Sequence, residues 1–216
     1  SRVLNGYNNV SSSADERVTA AILATGYRPN AIARGLRQRS TKTIALVVNN
    51  MLNPIYPVMA QGIESVAKLY GFHLHLCNSG ADPQQEEEYL KSLWERQIDA
   101  LVISPTGSNQ TFLRSFLRAG TPVVQVDRVS PGLETDSVVT DNRETARRLV
   151  SHLIERGSRR VAVMVGNLGV TTAWERLTGY FDALDSHGLE IDPNYVFVGS
   201  FTEDFGRTSM ESLLTR

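Results

Sequence analysis

From residue 44 onward, short apolar runs alternate with longer stretches in which apolar side chains recur every three or four positions. The runs read as strands: IALVV (44–48), FHLHLC (72–77), ALVIS (100–104), PVVQV (122–126), RVAVMV (160–165) and YVFVG (195–199). The stretches between them read as helices near 56–70, 83–96, 109–119, 142–156, 173–187 and 203–215. Most of these strands are apolar along their whole length, so both of their faces must be covered. Strand–helix alternation of this kind predicts an α/β fold of parallel sheets joined by right-handed crossovers. Ligands in such folds sit beyond the carboxyl ends of the strands. A short strand near DSVVTD (136–141), followed by a fresh helix, predicts a crossing into a second lobe. Asp141 and Glu144 form a capping box at the start of that helix, with Ala146, Leu149, Val150 and Leu153 at helical spacing behind it. The second lobe holds three helices and two main strands, thin for a doubly wound sheet, so the chain reads as stopping before that lobe closes.

The first 43 residues follow a different pattern. Ser11 or Ser13 can cap a helix, and Ser13 with Glu16 makes a capping box. Val18, Ala21, Ile22 and Thr25 share one face, and Gly26 can close the helix in a left-handed conformation. So weakly apolar a helix needs partners, and they are expected upstream of Ser1. Next comes GYRPNAIARGLRQRST (26–41). Pro29 blocks helix before it, and Asn30 is a good cap for a helix from 31 to about 38. Gly35 weakens that helix by roughly 1 kcal/mol relative to Ala.

Charge sharpens the contrast. Residues 1–43 carry seven basic and two acidic side chains, a net of +5, and the remainder carries 15 basic and 21 acidic, a net of −6. A positive head on a negative body attracts phosphate through counterion release, which points to nucleic acid as its partner. No apolar run approaches the ~20 residues that span a bilayer, and the N-terminus shows no secretory signal. Cys77 is the single cysteine, which excludes an internal disulfide and a thiolate metal cage, and its strand position predicts a small buried apolar residue. The cytoplasm is the simplest home for such a chain.

Candidate ligand chemistry clusters at strand ends. Asp127 follows PVVQV, with Arg128 beside it, and a carboxylate there can accept hydrogen bonds from sugar hydroxyls. Asn53 follows the first strand, and Tyr56 is available to stack on a sugar face. Asp141 lies at the interlobe crossing. Each has a plainer reading: Asp127 closing a turn, Asp141 capping its helix, Asn53 shaping the turn before Pro54. His73 and His75 share a strand face, but nothing completes a metal site, and neither metal nor cofactor is expected. Glu86, Glu87 and Glu88 read as a solvated helix face, and Trp94 and Trp174 as packing residues. Gly166 and Gly169 match no phosphate-loop motif, and no nucleophile–base pair suggests a catalytic residue.

SRVLNG, then VSSSADERVTAAILATGYRPNAIARGLRQRST, then IALVVNNMLNPIYPVMAQGIE, resemble the lactose-repressor (LacI) family of bacterial transcription regulators. DALVISP, TPVVQVDR, VVTDN, GSRRVAVMVG and TTAWERLTGYFDAL are similar to that family in the same order. The resemblance covers essentially the whole chain. It implies a partial helix-turn-helix headpiece at 1–28 and a hinge at 29–43. It further implies an N-terminal effector-binding lobe at 44–140 and an incomplete C-terminal lobe at 141–216, in a core like that of periplasmic sugar-binding proteins. Ser1 and Arg2 correspond to the tail of a recognition helix. Asn30, Ala33, Arg34, Leu36 and Arg37 belong to a hinge helix that pushes Leu36 into the minor groove of DNA. Arg176 corresponds to an arginine that reaches the effector between the lobes. The implied function is a homodimeric repressor of a palindromic double-stranded operator, controlled by a small carbohydrate-like effector, a sugar or sugar acid. A solute-binding protein without a DNA role is the alternative, and a nucleotide-using α/β enzyme a third reading.

Overall fold

The structure is a computed structural model and describes residues 11–26 and 40–215. The chain separates into two compact units, residues 1–42 and 43–216. In the first, α1 (Ser12–Thr25) ends at Gly26, whose φ of 63° is the left-handed turn expected of it. The capping box does not form there. Ser11 is the N-cap and Ser13 lies inside the helix, with only a 3.4 Å hydroxyl–hydroxyl contact between them. No residue of α1 is buried.

The second unit opens with a five-stranded sheet built from β1 (Thr43–Val48), β2 (His73–Asn78), β3 (Ala100–Ile103), β4 (Val123–Val126) and β5 (Asp136–Val138). All neighbours are parallel, in the order β2-β1-β3-β4-β5. The period of two along β1 divides the core. Ala45 and Val47 face α3 (Pro83–Glu95) and α4 (Gln110–Arg118), packing with Leu90, Leu93, Leu113 and Phe116. Leu46 and Val48 face α2 (Ile55–Leu69), packing with Tyr56 and Ile63. Each fully buried aliphatic side chain of this kind stabilises the fold by roughly 1.5–3 kcal/mol. His73, His75 and Cys77 share one face of the edge strand β2; both histidines are exposed, and Cys77 is buried, 3 % exposed. Burial pushes the Cys77 thiol up to about 11, with Arg96 opposing the shift.

Beyond β5, α5 (Asn142–Glu155) and α6 (Thr171–Ser186) pack on each other and on a two-stranded parallel sheet of β6 (Val163–Val165) and β7 (Val196–Val198). α7 (Glu203–Leu214) follows. Both strands are shorter than the apolar runs suggest, because Pro193–Tyr195 forms a 3-10 turn and Val161 is buried outside the ladder. Half of the expected box at Asp141 is present: its Oδ1 accepts from the Glu144 N–H at 2.9 Å, while the Glu144 side chain turns to Arg147. The inward face of α5 is set by Val150, Ser151 and Ile154, whereas Leu149 and Leu153 are exposed. At Gly179 the backbone of α6 meets α5 so closely that a Cβ would clash with the Arg143 carbonyl oxygen and sit 3.0 Å from Ala146 Cβ. No described helix is long and apolar enough to cross a membrane.

Candidate functional site

Each inner strand of the larger sheet hands its chain to a polar residue at the carboxyl edge. Asn49 follows β1, Ser104 follows β3 and Asp127 follows β4. The first turn of α2 adds Tyr56. These residues form one network. Tyr56 Oη donates to Asp127 Oδ2 at 2.9 Å and lies 3.1 Å from Ser104 Oγ. Asn49 Nδ2 donates to Tyr56 Oη at 3.2 Å and to Ser104 Oγ at 2.8 Å. Arg128 Nε lies 3.6 Å from Asp127 Oδ2, an ion-pair distance. Burial raises the Tyr56 phenol above its ordinary value, and the Asp127 charge adds to that. The bonds from Ser104 and Asn49, and the charge of Arg128, act against it.

Two features of this network are unusual for a structural cluster. Asn49 Oδ1 is buried and has no hydrogen-bond partner among the described residues, although unsatisfied buried acceptors are rare. Asp127 has a φ of 63°, a left-handed conformation costly for most side chains. Its backbone N–H donates to Val138 O at 3.0 Å, which holds the turn and directs the carboxylate toward Tyr56.

The same edge meets the second lobe. The Val129 N–H donates to Thr171 Oγ1 at 3.3 Å, at the start of α6. A Cβ added at Gly107 would lie 3.6 Å from the Gly169 carbonyl oxygen. Within the second lobe, Arg176 Nε on α6 donates to Asn142 Oδ1 on α5 at 2.9 Å, and Asn142 Nδ2 in turn reaches Thr140 O and Glu175 Oε2.

Several expectations are revised by these positions. Tyr56 is 1 % exposed, so its ring is core and its face is not open for stacking; only its hydroxyl serves the cluster. Asn53 Oδ1 accepts from the Ile55 N–H at 3.2 Å and shapes the turn into α2. Asp141 caps α5. Arg176 is held by its hydrogen bond to Asn142. Glu86 is no solvated residue: it is fully buried, and its carboxylate accepts from the Thr106 N–H and Oγ1 at 2.8 Å each and from Asn109 Nδ2 at 2.9 Å. Trp174 is 57 % exposed and lines, with Asp141 and Glu175, a depression of about 540 Å³. Trp94 does pack, edge-on against Phe112 and Phe116. Ser1, Arg2, Asn30, Ala33, Arg34, Leu36 and Arg37 lie outside the described residues. Asn49 and Ser104 were missed, and their signal was a polar residue directly after a buried strand.

Residues 41–216 match the family of periplasmic binding proteins and sugar-binding domains of LacI-type regulators. The chain belongs to this family. This LacI-family chain is 31 % identical over 215 residues to catabolite control protein A of Staphylococcus xylosus, covering 100 % of the chain and 65 % of that protein. It is also 31 % identical over 216 residues to the transcriptional regulator GalR of Escherichia coli (strain K12), covering 100 % of the chain and 63 % of that relative. Among solved structures, the transcription regulator CcpA of Lactococcus lactis superposes with a TM-score of 0.73 at 28 % identity, over 81 % of this chain and 64 % of that one. The regulator CelR in complex with cellobiose superposes with a TM-score of 0.71 at 30 % identity, over 99 % of this chain and 65 % of that one. The chain thus spans a little under two thirds of the relatives it matches. These relatives are regulators, not enzymes.

Proposed function

We propose that this chain is part of a DNA-binding transcription regulator, a repressor, whose operator affinity is set by a small carbohydrate-like effector held between the lobes. The observation that carries the reading is the acceptor-rich cluster at the carboxyl edge of the larger sheet. Asp127 offers a carboxylate at the edge that meets the second lobe, suited to the hydroxyl donors of a sugar, and the buried Asn49 Oδ1 lies unsatisfied in the same network. Arg176, set on Asn142, supplies a cation from the other side, and a sugar acid would use it best. Asn53, Tyr56 and Asp141 belong to the same proposed effector set, Tyr56 through Asp127. The relatives' names support regulation of transcription, and the cellobiose complex of CelR supports a carbohydrate ligand.

On this reading, residues 1–28 are part of a helix-turn-helix headpiece and 29–43 a hinge. Residues 44–140 form the N-terminal lobe and 141–216 part of the C-terminal lobe. Ser1 and Arg2 lie on the recognition helix, and Asn30, Ala33, Arg34, Leu36 and Arg37 on a hinge helix that orders on DNA. The protein acts in the cytoplasm as a homodimer on a palindromic operator, two hinge helices meeting at its centre. Ile55, Val58, Val66 and Leu69 leave an exposed apolar stripe along α2, suited to a second copy. Effector binding biases lobe closure, and closure biases the hinge between ordered and disordered states.

The test is a titration of the full-length protein with sugars and sugar acids, read by thermal shift and by operator binding. The expected result is a rise in melting temperature with a matched change in operator affinity. Arg176→Ala is expected to weaken the effector response while leaving DNA binding intact. Leu36→Ala is expected to lower affinity for operator more than for scrambled duplex, since only a bendable specific site accepts an apolar wedge. Equal losses on both DNAs would remove the wedge from the mechanism.

A further inference from the structure

Glu86 is the one charged side chain among the described residues that is completely buried. A carboxylate in such a place is tolerated only when its lone pairs are matched, and an apolar side chain of similar size could pack there without that demand. Both oxygens of Glu86 are matched by one loop. Oε2 accepts from the Thr106 N–H, and Oε1 accepts from Thr106 Oγ1 and Asn109 Nδ2. A second observation points the same way. Asn109 is the N-cap of α4, a position where its side chain would ordinarily accept from the helix's own N–H groups. It makes no such bond. Its amide is turned instead onto Glu86 and onto the Pro83 carbonyl oxygen at 2.8 Å. The start of α4 gives up its side-chain cap so that the loop before it can be fastened to α3.

We propose that Glu86 is a positioning residue for the effector-facing edge. By fastening Thr106 and Asn109 to α3 it fixes the loop 104–109. That loop carries Ser104 beside Tyr56 and Asp127 at one end, and Gly107 against Gly169 of the second lobe at its middle. Glu86 therefore acts on the ligand cluster and on lobe closure without touching either. The link to ligand rests on reading the cluster as the effector site.

The experiment compares wild type with Glu86→Gln, Glu86→Ala and Asn109→Ala in the full-length protein. Glu86→Gln keeps the volume but sets its amide N–H₂ against a donor, either the Thr106 N–H or Asn109 Nδ2, and so breaks one side of the fastening without opening a cavity. Asn109→Ala cuts the same link from the loop side. Hydrogen exchange is expected to accelerate at residues 104–109 by about tenfold or more, the factor a single hydrogen bond to a charged group controls. Amides of Leu46, Val47 and Leu101 are expected to stay protected. The ring Cζ resonance of Tyr56 is expected to shift, because Ser104 loses its fixed place. Titration with cellobiose, ribose and fructose 1-phosphate gives the ligand arm: whichever sugar binds wild type is expected to bind the variants about tenfold more weakly. Lowered melting temperature with wild-type exchange at 104–109 and an unshifted Tyr56 signal would make Glu86 a packing group and overturn the proposal. Failure of wild type to bind any of the three sugars counts against the effector reading alone, since the exchange and Tyr56 readouts need no ligand.

Discussion

Replacing Tyr56 by Phe removes one oxygen from the centre of the cluster and leaves the ring in place. The ring is 1 % exposed, so Phe fills the same volume and no cavity opens. The loss is confined to the hydroxyl. It no longer donates to Asp127 at 2.9 Å, accepts from Asn49 at 3.2 Å, or meets Ser104 at 3.1 Å. Asn49 Nδ2 stays satisfied by Ser104 at 2.8 Å. The Asp127 side chain is 19 % exposed, so water takes over part of the phenol's place. A net hydrogen bond contributes about 1 kcal/mol, and one to a charged group about 1.5–3 kcal/mol. With partial replacement by water, the expected cost is about 2 kcal/mol. For a unit of this size that lowers the melting temperature by about 4–8 °C. Tyr56→Ala removes the ring as well and is expected to cost about 3–5 kcal/mol. Urea titrations of wild type, Phe and Ala variants, with thermal melts alongside, separate the terms. A Phe variant within about 0.5 kcal/mol of wild type would mean that the hydroxyl network carries no stability. A Phe variant as damaged as Ala would mean that the ring, not the hydroxyl, had been misjudged.

Gly179→Ala forces a Cβ into the Arg143 carbonyl oxygen, and separation of α5 from α6 is expected to cost at least about 1–3 kcal/mol; an unchanged urea midpoint would refute that contact. The Cys77 thiol, raised by burial from about 9 to about 11, favours the folded state while protonated, so its contribution is whole below pH 9 and lost as pH rises through 11. Two units set an upper bound of about 3 kcal/mol, and the urea midpoint of wild type is expected to fall more steeply over that window than that of Cys77→Ala. Parallel curves would show that the thiol is not buried as described. Asn142→Ala releases Arg176 and is expected to weaken effector response nearly as much as Arg176→Ala; a normal response would show that Asn142 does not orient the arginine.

The order and type of the elements were legible because the strands are apolar on both faces and the helices on one. What escaped was local. The run at 86–88 reads as three alike carboxylates, yet Glu86 stands four and seven residues before Leu90 and Leu93, which puts it on the inward stripe of α3. That spacing was available in the sequence and was outweighed by charge. Tyr56 likewise shares helical spacing with Ile63 and Ala67, a core signature, while its aromatic ring suggested a platform. Arg176 could be placed on a helix but not onto Asn142, because that contact joins residues 34 apart across two helices. Leu149 and Leu153 fit the periodicity of α5 and are nonetheless exposed; nothing in the described residues covers them.

The strand order β2-β1-β3-β4-β5 has a consequence for synthesis on the ribosome. Once β1 and β2 have paired, β3 is laid on the open side of β1, and β4 and β5 are each laid against the strand made just before them. None of these five strands must be threaded between two already joined. The interval during which the growing edge stands open is the time needed to make one connection, about 20–25 residues before β2, β3 and β4 and about 10 before β5. At about 5–20 residues per second that is a few seconds per strand. These five strands can therefore be laid down in the order in which they are translated. The edge proposed to face the effector, with Asn49, Ser104 and Asp127 added one strand at a time, would be assembled as a nascent-chain product, ahead of α5 and α6.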